Sequence, residues 1–164
     1  MPLFSANKIR ENLLCVEKED LMGAKVIALD ADNTSSFDLT TTPIPGAEAW
    51  VNARKAEGFS VVLLSNAKAS RAKILANQYD IPAIGFSAKP FPVGGIRLLL
   101  KYRCKPSDVV MIGDQLITDI LGANILGFKS IYTKPYEKEK NRGKVFFAKR
   151  KLEKIIFKLK GVEI

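Results

Sequence analysis

The 164-residue sequence contains no histidine. That excludes a Ser-His-Asp or Cys-His nucleophile system and any His-ligated zinc or iron site. An enzyme built from this chain must handle protons with Asp, Glu, Lys or Tyr. Cysteine is nearly absent too. Cys15 and Cys104 are too few for a disulfide framework or a thiolate metal site. Both fall in helix-like stretches and read as buried thiols of a reducing cytoplasm. Long apolar runs are also missing. "MPLFSANKIR" has no signal-like apolar region, and no segment approaches the ~18 continuous apolar residues of a membrane span. The expectation is a cytoplasmic protein.

What is present suits one α/β domain covering residues 1–164. A chain of this length can bury about 70% of the surface its unfolded form exposes, and 47% of its residues are hydrophobic. The net charge of +9 sits almost entirely in residues 134–160, which hold 11 Lys/Arg against 3 Glu. The rest of the chain is nearly neutral.

From residue 25 onward, short apolar runs alternate with helix-like segments. "KVIALD" (25–30), "FSVVLLS" (59–65), "AIGFS" (83–87), "DVVMIGD" (108–114) and "KSIYT" (129–133) read as strands. Their near-continuous apolar character is that of parallel strands covered on both faces. Residues 46–57, 68–79, 92–103 and 115–126 read as helices, with Gly58 and Gly127 as C-terminal stops. The alternation predicts a doubly wound sheet of about five parallel strands with helices on both faces. Residues 1–24 read as an N-terminal helical segment and 134–164 as a basic amphipathic helix. Val145, Ala148, Leu152, Ile155, Ile156 and Leu159 fall on one stripe of that helix.

The special polar residues stand at strand carboxyl ends, where open α/β sheets bind ligands. Asp30 and Asp32 follow the first strand, Ser65 and Asn66 the second, Lys89 the third and Asp114 the fourth, with Asp119 one helical turn later. Taken singly, each has an ordinary explanation. Asp32, Ser65 and Asn66 can cap turns, Lys89 can be a solvated lysine, and Asp119 an exposed helix residue. Their conjunction is informative. Asp30, Asp32 and Asp114 together need a cation, and carboxylate oxygens without nitrogen or sulfur suit Mg²⁺. With a hydroxyl and an ammonium beside it, the set makes a cradle for a phosphoryl group.

"DADNT", "LLSNA", the lysine of "AKPFP" and "GDQLITD" resemble, in order, the four motifs of the haloacid dehalogenase superfamily. The resemblance extends to its YqeG-like class IIIA phosphatases and covers about residues 25–157. It implies Asp30 as nucleophile, Asp32 as general acid and base, and Ser65 with the Asn66 backbone on the phosphoryl oxygens. It further implies Lys89 bridging nucleophile and phosphate. The metal shell would comprise Asp30, the Asp32 carbonyl, Asp114 and Asp119. One departure is "NTSS" (33–36), where the family usually has an apolar residue after the Thr.

Cap domains choose substrates in many members of that superfamily. Residues 33–46 and 67–88 are too short to hold one, so an open site and a bulky phosphorylated substrate are expected. In the tail, Phe146, Phe147 and Phe157 interleave with Lys149, Arg150, Lys151, Lys154, Lys158 and Lys160. That composition suits a helix lying on anionic lipid through 141–160, and less well one binding nucleic acid. It equally fits a terminal helix packing its apolar stripe on the sheet. Similar family members include phosphatidylglycerophosphate phosphatases, which makes a lipid phosphate the specific expectation and peripheral membrane contact its corollary. Two other classes stay open: a receiver-like module that keeps its phosphoryl group, and a binding protein on this scaffold. Oligomeric state stays open as well.

Overall fold

The computed structural model describes residues 3–161. The two residues before and the three after, which the single-domain and tail readings included, lie outside the described residues.

Six parallel strands form one sheet in the order β1-β6-β5-β2-β3-β4. They are β1 Lys8–Arg10, β2 Val26–Leu29, β3 Ser60–Leu64, β4 Ala83–Ile84, β5 Val109–Gly113 and β6 Lys129–Thr133. Every residue of β2 and β5 is buried, as central strands of a parallel sheet must be. Alternate side chains then serve opposite faces. Ile27 and Leu29 join Trp50, Val51 and Leu75 in one core, while Val26 and Ala28 join Leu98 and Ala123 in another. Helices α1 Ala47–Ala56 and α2 Ala69–Gln78 thus cover one face. Helices α3 Val93–Tyr102 and α4 Leu121–Leu126 cover the other. The direction of winding reverses at β2, which lies between β3 and β5. Such a reversal opens a crevice at the strand carboxyl ends. No segment between β2 and α1, or between β3 and α3, builds a cap.

The expected doubly wound parallel sheet is present, with a sixth strand at its edge, because β1 pairs with β6 in the register Lys8↔Ile131 and Arg10↔Thr133. A three-residue edge strand with two cations has no apolar run to reveal it. Two expectations need correction. The described part of 1–24 is not one helix. Beyond β1 it contains only short 3₁₀ turns at Leu13–Cys15 and Lys18–Leu21. Asn12 accepts from the Leu14 N–H and Asp20 from the Glu17 N–H, side-chain bonds that compete with helical ones. Finally, neither thiol is fully buried: Cys15 is exposed and Cys104 half-buried. Cys15 ends a turn rather than sitting in an amphipathic helix, and Cys104 lies just past the left-handed Arg103 that stops α3.

The last helix, α5, runs Lys144–Leu159, and residues 134–143 before it are not helical. Its orientation reverses the expected packing. Of the stripe read from the sequence, only Ile156 packs against a core. Val145, Ala148, Leu152, Ile155 and Leu159 are exposed, while Arg150, Glu153 and Phe157 are buried. Phe157 packs against Tyr132 of β6 with the rings tilted and their centroids 4.9 Å apart.

Candidate active site

Asp30 directly follows β2, and Asp114 directly follows β5. Adjacent parallel strands therefore deliver both carboxylates to the crevice. Asp119 arrives from the π-helical turn Leu116–Ile120, an irregularity common at functional sites. Its carboxylate accepts from the Gln115 N–H at 3.0 Å and lies against the backbone of Gly113, where an added Cβ would come within 2.4 Å. Ligand oxygens of Asp30, Asp114 and Asp119, all buried, lie within 4.8 Å of one another.

Buried like charges need cations, and the chain supplies two. Lys89 Nζ lies 2.5 Å from Asp30 and 2.7 Å from Asp119, and it donates to the Leu64 carbonyl at 2.7 Å. Arg150 Nη2 pairs with the Asp114 carboxylate, and its Nη1 donates to the Asp114 carbonyl at 2.6 Å. The same guanidinium meets Glu139 at 2.5 Å and Glu153 at 3.0 Å. Burial is the largest influence on Asp30 and lifts its carboxyl well above the usual range, with Asp119 and Asp32 adding to the rise and Lys89 opposing it. Burial likewise raises Asp114 against the pull of Arg150. Lys89, despite burial, is held strongly protonated by Asp119 and Asp30.

These residues fit a small hard cation. The donors are all carboxylate oxygens, and Asp114 Oδ1 is buried with no hydrogen-bond partner among the described residues. Asp32 stands apart from that cluster. Burial would raise its pKa, but Arg71, bonded at 2.6 and 2.7 Å, and Arg142, at 3.1 Å, hold it below the ordinary value. Its side chain is thus an ionised carboxylate between two guanidinium groups.

Ser65 and Asn66 sit just beyond β3. Ser65 Oγ accepts from the Ala67 N–H at 3.1 Å, so it forms a turn while facing the cavity. Asn66 uses its side chain to hold the loop of Lys89. Its Oδ1 accepts from Ser87 Oγ and the Lys89 N–H, both at 2.7 Å, and its Nδ2 donates to the Lys89 carbonyl at 3.0 Å. The "NTSS" departure also has a physical account. Ser35 and Ser36 are fully buried, and their hydroxyls donate to the carbonyls of Asp30 (2.8 Å) and Ala31 (3.1 Å). An apolar residue in place of Ser35 would leave the turn behind Asp30 without the first of these bonds.

A cavity of about 250 Å³ lies over this set, lined by Asp30, Asp32, Ser65 and Lys89 together with Arg71, Arg142, Phe146 and Lys149. A larger cleft of about 570 Å³ lies beside α5, lined in part by Glu137, Glu139 and Glu153, and contains none of the four strand-end aspartates. Arg71, Arg142 and Arg150 were not legible as site residues: Arg142 and Arg150 look like members of a solvated basic run. The one available signal was the i,i+3 spacing of Arg150 and Glu153, one of three acids in that run. The residues before α5 lie across the loop after β2: the Tyr136 N–H bonds the Asn33 carbonyl at 3.0 Å, and Arg142 pairs with Asp38.

A crevice at the sheet reversal, with strand-end acids, a serine and a lysine, defines a class. The sequence model of the haloacid dehalogenase-like hydrolases matches residues 9–127, and the chain belongs to that family. Among individual proteins, it is 31% identical over 134 residues to the probable phosphatase YqeG of Bacillus subtilis, a match spanning 80% of this chain and 78% of that one. It is 30% identical over 121 residues to the mitochondrial phosphatidylglycerophosphatase GEP4 of Saccharomyces cerevisiae, covering 66% of this chain and 65% of that protein's length. A crystal structure of an uncharacterized protein from Listeria monocytogenes serotype 4b superposes with a TM-score of 0.58 at 15% identity, over 84% of this chain and 99% of the other. The D,D-heptose 1.7-bisphosphate phosphatase of B. bronchiseptica gives 0.55 at 16% identity, over 66% and 79%. At such identities the likeness is one of fold. Among the described residues, no helix is long and apolar enough to cross a membrane.

Proposed function

We propose that this hydrolase is a Mg²⁺-dependent phosphatase that forms an aspartyl-phosphate on Asp30 and acts on a lipid phosphate. The observation that carries the reading is the buried triad Asp30–Asp114–Asp119 beside Lys89. The names of the YqeG and GEP4 relatives support phosphatase chemistry, and the latter supports a lipid substrate. The uncapped crevice suits a phosphate carried on something large. Two free thiols suit a reducing cytoplasm, with the membrane reached from its surface.

Asp30, Asp114 and Asp119 would hold the Mg²⁺, which when bound offsets negative charge on the transferring phosphoryl group. An Asp30 oxygen attacks phosphorus and the ester P–O bond breaks, with Asp32 delivering the proton to the leaving oxygen. Asp32 then takes a proton from water as that water attacks phosphorus. The acyl P–O bond breaks and inorganic phosphate leaves. Lys89, paired with Asp30 at 2.5 Å, opposes the protonation that burial favours at the nucleophile and neutralises the phosphoryl oxygens. Arg71 and Arg142 hold Asp32 as a carboxylate. Arriving phosphoryl oxygens compete for those guanidinium groups, which lets Asp32 acquire the proton it must give.

The test is phosphate release from an aryl phosphate and from phosphatidylglycerophosphate in mixed micelles. Turnover with Mg²⁺ is expected, lost in EDTA and in Asp30→Asn. Unchanged turnover in Asp30→Asn would remove Asp30 as nucleophile, and activity confined to soluble metabolites would defeat the lipid substrate. An acyl-phosphate that persists for hours would mark a receiver-like module instead.

A further inference from the structure

Helix α5 turns one face to the cavity and leaves the other bare. Phe146 and Lys149 line the cavity, and Arg150, Glu153 and Phe157 are buried behind them. On the far side Val145 is 72% exposed, Leu152 49%, Ile155 48% and Leu159 82%, with Ala148 exposed between them. These five positions alternate three and four residues apart, so they form one apolar seam along most of the helix.

A three-four spacing also suits a partner helix, and the flanking charges decide between the two. Lys144, Lys151 and Lys158, all exposed, border the seam. A second copy of α5 packed along it would bring lysines against lysines, which disfavours pairing. A plane of anionic headgroups meets the same lysines with opposite charge, while the seam enters the acyl boundary.

We propose that α5 docks this hydrolase on an anionic lipid bilayer through the Val145–Leu159 seam. Its purpose rests on the lipid-phosphate reading above, which it deepens. Because the opposite face of the same helix lines the cavity, docking holds that cavity about one helix diameter, ~10 Å, from the buried seam, beside the headgroup layer. A phosphorylated headgroup then reaches Asp30 without its lipid leaving the bilayer.

The experiment is co-sedimentation of the full chain with vesicles of phosphatidylcholine alone or mixed with phosphatidylglycerol. Neither lipid carries a phosphomonoester, so docking is read without catalysis. The full chain should sediment with the mixed vesicles, not with phosphatidylcholine alone, and should be released by high salt. The double variant Leu152→Glu/Ile155→Glu should lose roughly tenfold or more in vesicle affinity, and its Tm should match wild type because both side chains already face water. Lys151→Glu/Lys158→Glu should weaken binding in the same direction. Absence of binding to mixed vesicles, or binding untouched by Leu152→Glu/Ile155→Glu, overturns the proposal. So does a wild-type dimer that this variant dissociates, which would give the seam to a second copy. Wild-type turnover of an aryl phosphate without vesicles judges the phosphatase reading separately. Turnover without vesicle binding sinks docking alone; vesicle binding without turnover sinks the phosphatase reading alone.

Discussion

Arg150 Nη1 donates to the backbone carbonyl of Asp114 at 2.6 Å while Nη2 of the same guanidinium pairs with the Asp114 carboxylate. A residue of the final helix thus neutralises the acid at the end of β5, and shares its charge with Glu139 and Glu153. Removing it strands three carboxylates in or near the interior. Arg150→Met should cost about 3–5 kcal/mol of stability. Mg²⁺ should raise the Tm of the variant more than that of wild type, because a metal would take over part of the missing charge. Thermal unfolding with and without Mg²⁺ checks both.

Arg71 supplies most of the force that lowers the Asp32 pKa against burial. Without Arg71, burial prevails, the pKa rises, and Asp32 becomes protonated at higher pH. If an acyl-phosphate on Asp30 decays with Asp32 as the base, as proposed above, its decay should therefore show an acid limb displaced upward in Arg71→Met. Single-turnover decay measured across pH gives the answer; an unmoved limb would detach Asp32 from that step.

Gly113 permits the approach of Asp119. A Cβ there would stand 2.4 Å from the Asp119 carboxyl, far inside contact distance. Gly113→Ala should displace Asp119 and cost about 1–3 kcal/mol, with a fall in Mg²⁺ affinity seen by calorimetry.

Asn66 contributes through Lys89. Three hydrogen bonds tie its amide to Ser87 and the Lys89 backbone. Asn66→Ala should destabilise the fold by about 1–3 kcal/mol and lower kcat by roughly tenfold or more as Lys89 loses its position. Asn66→Asp, which keeps the acceptor oxygen, should recover part of kcat.

Asp20 should govern acid stability at the sheet edge. Burial opposes its ionisation, but Arg10, the Glu17 N–H and Lys8 outweigh that and lower its pKa from 3.8 to about 2. A carboxylate depressed by folding stabilises above its unfolded pKa, and that contribution fades as pH falls from about 4 toward about 2. It amounts to about 1–2 kcal/mol after allowance for solvent screening. Asp20→Asn should lower stability at neutral pH by that amount and flatten the acid limb of denaturant unfolding in that window.

The strand-end residues were legible because each follows a run of apolar residues, as Asp30 follows "KVIAL" and Asp114 follows "VVMIG". Apolar runs place a buried strand, and the first charge after one marks its exit. Arg71, Arg142 and Arg150 had no such marker. An arginine in a basic run reads as solvated, and only folding reveals that it meets an acid distant in sequence. The direction of α5 failed for a related reason. Hydrophobic periodicity assumes that the apolar stripe faces inward, whereas here Arg150 and Glu153 claim the inner face through ion pairs. β1 was hidden by brevity and by its cations.

The pairing of β1 with β6 carries a consequence for synthesis. As the chain emerges from a ribosome, Lys8–Arg10 appear before β2 through β5, and their partner Ile131–Thr133 only after all four of those strands. The leading segment must wait unpaired while β2 through β5 assemble beside one another. Contacts of such long sequence separation slow folding and leave an open edge exposed in the interim. A chain halted before β6 would hold a nearly complete sheet whose opening strand has nowhere to go.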